Sequence, residues 1–458
     1  MTRISKAALA GAVSALAFAS AAKADMFSLN DALAVAYETN PQLDAERAAQ
    51  RATDEGVAEA NGGWRPSVNA GGSYGSERIE IGGIPGSFNA HPLQGQITVS
   101  QPIFRGGRTF AEVSRAKALD RAGRALLTDV EQQVLLAAVT AYMDVVRDTA
   151  IVDLNQHNVE ALRKQLDATK KQFEVGELTR TDVAQSQARL SGAEAGLVTA
   201  QGQLAISRAN FLRVIGRAPE SLDTASPLPS LPGTADDALN AALKLNPGLI
   251  AAQENEHAAD YAVDDTAGAM LPQLSVVGQY QYSRDSFSTG IGSSSGAGTI
   301  RSTAVLGELT VPIYQGGADQ AGLRQAKQLH SQAQLDAVNA ERLTREGVSA
   351  AWEAFRSAKS AIDSNQASVK ANELAFEGVS KEQQVGSRTI LDVLNAEQEL
   401  LNSQVAVVSS ERDAEVAAYQ LLAATGQLTA KDLGLKAKLY DPGEYYDDNA
   451  GRWFGLGD

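Results

Sequence analysis

The sequence contains no cysteine. That absence removes disulfide scaffolds, thiol catalysis, iron–sulfur clusters and cysteine–zinc sites together, and it is compatible with an oxidising compartment. Aromatic residues make up only 5% of the 458 residues and prolines number 13, so a bulky aromatic core is excluded and long helices are free to run. Positive charge is also short. Lys and Arg total 40 against 55 Asp and Glu, a net charge of −15 with a pI near 4.9, and no nucleic-acid partner is expected of such a chain. The four histidines, His91, His157, His257 and His330, are scattered without metal-ligand spacing, so neither an enzyme nor a cofactor or metal is expected. What is present is small and aliphatic: 44% hydrophobic residues and 40 glycines. Disorder throughout is thereby ruled out, and a length about three times that of a usual domain calls for several domains or one elongated architecture.

Long apolar runs are scarce as well. One run, Ala7 to Ala22, follows basic Arg3 and Lys6 and ends in the small-residue triplet Ala22-Lys23-Ala24. Residues 1–24 therefore read as a secretory signal peptide cleaved after Ala24, the run being shorter than the ~20 residues a membrane-spanning helix needs. No later stretch is long and apolar enough either. Any further meeting with a membrane must use an amphipathic surface or β-strands paired around a closed barrel.

The rest of the chain is one unit written twice. Asn40-Pro41 recurs as Asn246-Pro247, and Trp64-Arg65-Pro66-Ser67-Val68 is echoed by Met270-Leu271-Pro272-Gln273-Leu274, both 206 residues on. Gln101-Pro102-Ile103-Phe104-Arg105-Gly106-Gly107 matches Val311-Pro312-Ile313-Tyr314-Gln315-Gly316-Gly317 at an offset of 210. The same offset pairs Val175-Gly176 with Val385-Gly386, and Thr181-Asp182-Val183 with Leu391-Asp392-Val393. The change of offset places a four-residue insertion in the Gly/Ser-rich segment 283–299, which is expected to be an exposed loop. Four prolines between Pro219 and Pro232 mark the junction. The expected division is a first repeat at 25–218, a linker at 219–235, a second repeat at 236–428 and an acidic tail at 429–458, which is left without assigned structure from Asp441.

Each repeat reads as helix, strand pair, long helix, helix. Leu119, Ala122, Leu126, Val130, Ala137, Ala141 and Val145 recur at helical spacings, and the pattern extends through Leu162, Leu166 and Phe173. A helix from about Arg108 to Gln172 would run ~100 Å at 1.5 Å per residue, too long for a globular domain. The returning helix carries a heptad: Val183, Leu190, Leu197, Leu204 and Phe211, then Val393, Leu400, Val407, Ala414 and Leu421 in the second repeat. Before each long helix lie two segments with one apolar and one polar face, such as Val68, Ala70, Gly72 and Tyr74 against Asn69, Gly71 and Ser73. Such strands suit either a soluble sandwich or an outer-membrane barrel. Four strands are too few to close a barrel, so other copies of the chain must complete the edges.

This pattern resembles the TolC family of outer-membrane efflux and secretion channels over nearly the whole chain, about Phe27 to Leu428. The most specific matches are Val385-Gly386-Ser387-Arg388-Thr389-Ile390-Leu391-Asp392-Val393-Leu394 and the paired strand exits ending in Gly106-Gly107 and Gly316-Gly317. The resemblance implies an α+β membrane channel: a homotrimer whose four strands per chain make a 12-stranded barrel, continuous with a periplasmic α-helical barrel and circled by an equatorial belt. It implies a passive duct serving an inner-membrane transporter, ABC-type or proton-driven, through a periplasmic adaptor. Protein and small toxic compounds are both open as cargo, with a lean to protein secretion.

By the same resemblance the helical tips close the periplasmic entrance. Asp392 matches a carboxylate ring at the constriction, whereas Asn395 stands where a second carboxylate is usual. Arg388 matches a base that ties the second turn to Thr181 and Asp182, and Gln383 replaces a tyrosine of that latch. Val175, Gly176, Val385 and Gly386 mark the tips that meet the adaptor. The spacing has a plainer reading too: Thr389 with Asp392, and Thr179 with Asp182, fit capping boxes, and Val-Gly fits a helix stop. The rival to a channel is a secreted coiled-coil structural or adhesive protein, which explains the heptads but leaves the four strands without a role.

Overall fold

The computed structural model describes residues 27–80, 87–224, 228–289 and 296–455; the signal-peptide expectation falls outside these residues. The duplication is visible in the order of the helices and sheet arms. Helix α1 (Leu29–Thr39) and α2 (Pro41–Asn61) start the first repeat, α1 behind a Ser28/Asp31 capping box and α2 with Pro41 in its first turn. Four strands follow: β1 (Ser67–Tyr74), β2 (Glu77–Glu80), β3 (Ser87–Ala90) and β4 (Leu93–Arg105). Then come α3 (Arg108–Glu174) and α4 (Arg180–Ile215). The second repeat supplies α5 (Ala235–Leu245), α6 (Pro247–Gly268), β5 (Gln273–Thr289), β6 (Gly296–Thr310), α7 (Ala318–Gln384) and α8 (Ile390–Thr425), and a short α9 (Glu444–Asn449) ends the chain. Helices α3 and α7 have 67 residues each, and α4 and α8 have 36 each. Their boundaries all differ by the 210-residue offset, so the insertion lies wholly before α7.

The sheet is an antiparallel meander in which β1 pairs β4, β4 pairs β5 and β5 pairs β6. Strands β2 and β3 pair with each other, and β3 pairs the far end of β5, so they prolong the β1 and β4 arms. The four expected strands are thus four arms, two of them interrupted. The register puts Val68, Val99, Gly278 and Val305 in one cross-strand row, with Ala70, Ile97, Tyr280 and Thr303 in the next but one. Between them on the other face runs Asn69, Thr98, Gln279 and Ala304, followed by Gly71, Gln96, Gln281 and Ser302. One face is apolar and aromatic; the other is a field of amides and hydroxyls. Within one chain the outer edges of β1 and β6 have no strand beside them among the described residues.

The segment expected as an exposed loop is a correction. Residues 283–289 and 296–299 belong to β5 and β6, paired from Ser283 with Ile300 out to Phe287 with Gly296. Backbone ladders need no particular side chain, so Gly and Ser extend the hairpin here rather than ending it.

Three apolar clusters hold the helices together. The largest joins α1 (Leu29, Leu33, Tyr37), the middle of α3 (Leu135, Val139, Tyr142), the end of α4 (Phe211, Ile215), the end of α8 (Tyr419, Leu422) and Leu428, Ala430 and Leu435 of the tail. The Tyr142 hydroxyl lies 2.8 Å from the Phe27 and Asp223 carbonyls, fixing the linker to the same core. A second cluster joins Ala238 and Ala242 of α5 to Val348 and Leu421. The third sits near the far end of the helices, where Ile390 and Leu394 of α8 pack with Val159, Leu162, Leu166 and Leu190 of α3 and α4. The expected heptad positions Leu190, Leu204, Phe211, Val393, Ala414 and Leu421 are all buried. On α3, by contrast, Leu119 and Leu126 are exposed while Ala118, Ala122 and Ala125 are buried. Small residues set that seam, which lets backbones approach closely.

The tail is the second correction. Instead of lacking structure beyond Asp441, it climbs α2 and forms α9. Lys438 N–H donates to Glu38, Tyr440 N–H to the Tyr37 hydroxyl, Tyr445 to Glu55 (2.8 Å) and Asn61 to the Ala450 carbonyl (3.2 Å). Arg124 of α3 stacks on Tyr446 at 5.2 Å.

Candidate functional site

The two hairpin turns at the far end of the helices are built alike. Helix α3 stops because Gly176 takes a left-handed conformation (φ 83°), which lets Glu177 N–H reach the Gln172 carbonyl (2.9 Å) and Gly176 N–H reach Phe173 (3.0 Å). In the second repeat Gly386 (φ 80°) repeats this, with Ser387 N–H to Glu382 (3.0 Å) and Gly386 N–H to the Gln383 carbonyl (2.9 Å). Val175 and Val385, one residue earlier, are exposed at the extreme tips.

Each returning helix then starts with a capping box. Thr179 N–H donates to Asp182 Oδ2 (2.8 Å), while Asp182 N–H donates to the Thr179 hydroxyl (3.3 Å). Thr389 and Asp392 do the same at 3.0 and 3.2 Å. The Thr389 hydroxyl and amide hold the Asp392 carboxyl below its usual range, with Arg388 adding a smaller pull. Asp392 is therefore an anion at any working pH, and it is also a structural cap.

Arg388 pairs with Glu382 of its own turn (Nε to Oε2, 2.9 Å), and this bond raises the guanidinium above its ordinary value. Within one chain, no hydrogen bond or ion pair among the described residues joins Arg388 to Thr181 or Asp182. Gln383 contributes its carbonyl to the helix stop, and its side chain is half-buried. Asn395 has a partner that sequence reasoning missed: its Oδ1 accepts from Arg189 Nη2 at 2.7 Å, tying α8 to α4. Also missed was Glu397, one turn from Val393 on α8, whose carboxyl burial pushes up to about 7. The tip thus carries one carboxylate held ionised and, five residues deeper, one poised near neutrality. Spacing gave no signal for Glu397, because a charged residue beside a heptad position is ordinarily a solvated flank.

The family model described as outer membrane efflux protein matches residues 32–217 and 238–427, one match on each repeat. The chain belongs to the outer membrane efflux protein family. It is 36% identical over 429 residues to the outer membrane efflux protein BepC of Brucella suis biovar 1 (strain 1330), covering 94% of this chain and 92% of that protein. It is 26% identical over 410 residues to the outer membrane protein TolC of Vibrio cholerae serotype O1 (strain ATCC 39315 / El Tor Inaba N16961), covering 87% and 90%. Among solved structures, CusC superposes with a TM-score of 0.77 at 15% identity, covering 88% of this chain and 92% of that one. As a member of this family the protein is an efflux channel of the outer membrane that extends into the periplasm. The fold is the family's helical channel fold, and the family is one of ducts rather than enzymes.

Proposed function

We propose that three copies of this efflux protein close into one passive duct through the outer membrane and periplasm. It is joined to an inner-membrane transporter, ABC-type or proton-driven, by a periplasmic adaptor at the Val175-Gly176 and Val385-Gly386 tips. The carrying observation is a contact that each chain makes once and lacks once. Gly106 (φ 64°) sits so close to Gly268 that a Cβ on Gly106 would lie 2.2 Å from the Gly268 carbonyl oxygen. The duplication assigns the equivalent contact to Gly316 and Gly62. Gly316 has the same φ of 64°, yet within one chain both have open space around them. A neighbouring copy that brings its Gly62 to Gly316 also sets β1 beside β6, removing both free edges. Four arms from each of three chains give twelve strands, with the amide-rich face toward a wet lumen and the apolar face toward lipid.

In this duct Asp392 lines the constriction, and the turn braced by Arg388 and Glu382 holds the tips closed. A wide wet pore makes few contacts with cargo, so selectivity rests with the transporter. Small toxic compounds are the favoured cargo, because the relative at 36% identity is named an efflux protein. The sequence has no cysteine, and the repeat offsets turn the Thr98–Gln279 pair into Glu308 beside a neighbour's Ser73, so Ser73→Cys with Glu308→Cys, oxidised or bridged by a short bis-maleimide, tests the assembly without disturbing the glycine contact. A covalent trimer on denaturing gels is expected, with each single variant monomeric. Monomers alone from the double variant would end this reading.

A further inference from the structure

The end of the described chain is held at the foot of the sheet. Arg65 stands two residues before β1, and its guanidinium donates to the Arg452 carbonyl (2.5 Å) and the Gly451 carbonyl (3.3 Å) while stacking on the Trp453 ring at 5.0 Å. One turn back, Asn61 holds the Ala450 carbonyl. These bonds use the backbone of the tail and leave its rings outside: Trp453 is 60% exposed and Phe454 90% exposed.

Their neighbours by level are also apolar and exposed. Trp64 meets Phe110 edge-on at 4.6 Å, and Phe104 shares a cross-strand row with Leu274 and Leu309 on the apolar face of the sheet. We infer that Arg452-Trp453-Phe454 is a non-covalent anchor for the phospholipid layer at the periplasmic foot of the barrel. The inference rests on the duct reading above.

Two observations favour lipid over a second copy of the chain as the occupant. The tail bonds to Glu55 and Asn61 of α2 and to Arg65 just after it, and its Tyr446 meets Arg124 of α3. It therefore covers the α2–α3 groove on a face of the helical wall, not the free flank of α2 that the next copy needs. Second, the chemistry is that of a headgroup boundary: an indole and a phenyl ring to enter the acyl margin, and an exposed Arg452, without an ion pair among the described residues, to meet phosphate. Arg65 is the tether that sets the depth of the Trp453 ring.

Two measurements on the full chain test this. In a Trp64→Phe/Trp352→Phe background Trp453 is the only tryptophan, and the protein is placed in phosphatidylethanolamine–phosphatidylglycerol bilayers containing brominated phospholipid. Shallow bromines should quench Trp453 several-fold more than deep bromines or aqueous iodide, and Arg65→Ala should weaken that preference. Quenching by iodide and not by bromolipid would place the ring in water. Protection from both would mean that protein covers it. Either outcome overturns the anchor.

Hydrogen exchange on the unsubstituted protein serves as the second measurement. Residues 443–455 should exchange several-fold more slowly in phospholipid nanodiscs than in amphipol, and equal rates would also overturn the anchor. Trimer formation followed in the same samples separates a failure of the duct from a failure of the anchor.

Discussion

Asp392 caps a helix and is proposed to line the pore, and the duplication supplies the control that separates the two. Asp182 makes the same capping box at the start of α4, so alanine at either position should weaken its helix start to a similar extent. Only Asp392→Ala should also lower cation preference, read as a shifted reversal potential in single-channel recordings. Equal behaviour of the two variants would remove Asp392 from the pore. A different carboxyl makes a pH-dependent contribution to stability. Glu415 of α8 is buried, its Oε1 has no hydrogen-bond partner among the described residues, and burial pushes it up to about 7. A carboxyl raised above its unfolded value binds its proton more tightly when folded. Its contribution is therefore full below about pH 4.5 and lost as pH rises through 7. Glu415→Gln should leave the denaturant midpoint unchanged near pH 4 and raise stability by roughly 3 kcal/mol at pH 8, at 1.36 kcal/mol per pKa unit.

The elements show where sequence logic is strong and where it stops. Thr-x-x-Asp after Val-Gly foretold both helix stops and both starts, because caps and left-handed glycines act within a few residues. The heptad foretold the buried face of α4 and α8, since packing of a long helix obeys one period. Residues 283–289 and 296–299 and the described tail after Asp441 were not legible, because a ladder partner and the groove over α2 hold them, and neither is local. Arg388 is a case between these: its own turn offers Glu382, six residues back, at a spacing that no helical rule marks. If this bond braces the closed tip, Glu382→Gln should raise conductance as much as Arg388→Ser, whereas Arg180→Ser in the first turn should leave it unchanged. A rise with Arg388→Ser alone would assign its partner to another helix.

Viewed entire, the chain is two near-copies that meet unequal surroundings. Twenty residues of α3 are buried within the single chain, yet in α7, of equal length, only Thr344 and Val348 are. Leu335, Leu343 and Leu374 of α7 stand exposed. A helix that long cannot leave such a stripe in water, and a neighbour's α2, equivalent to the α6 that covers α3, is the natural cover. Leu343→Glu should therefore reduce the trimer fraction in size-exclusion chromatography while helix content by circular dichroism stays the same. Unaltered assembly would leave this stripe facing something other than a sister chain.

The core shared by α1 and the tail orders events in time. Leu29 and Leu33, near the start of the described chain, share one core with Leu428, Ala430 and Leu435, some four hundred residues later in synthesis. Until those late residues arrive, the middle of α3 and the ends of α4 and α8 stay unsealed, so the knot is tied by the final stretch of polypeptide. A prematurely terminated product therefore leaves Leu29, Leu33 and Tyr142 without their late cover and gapes at its waist.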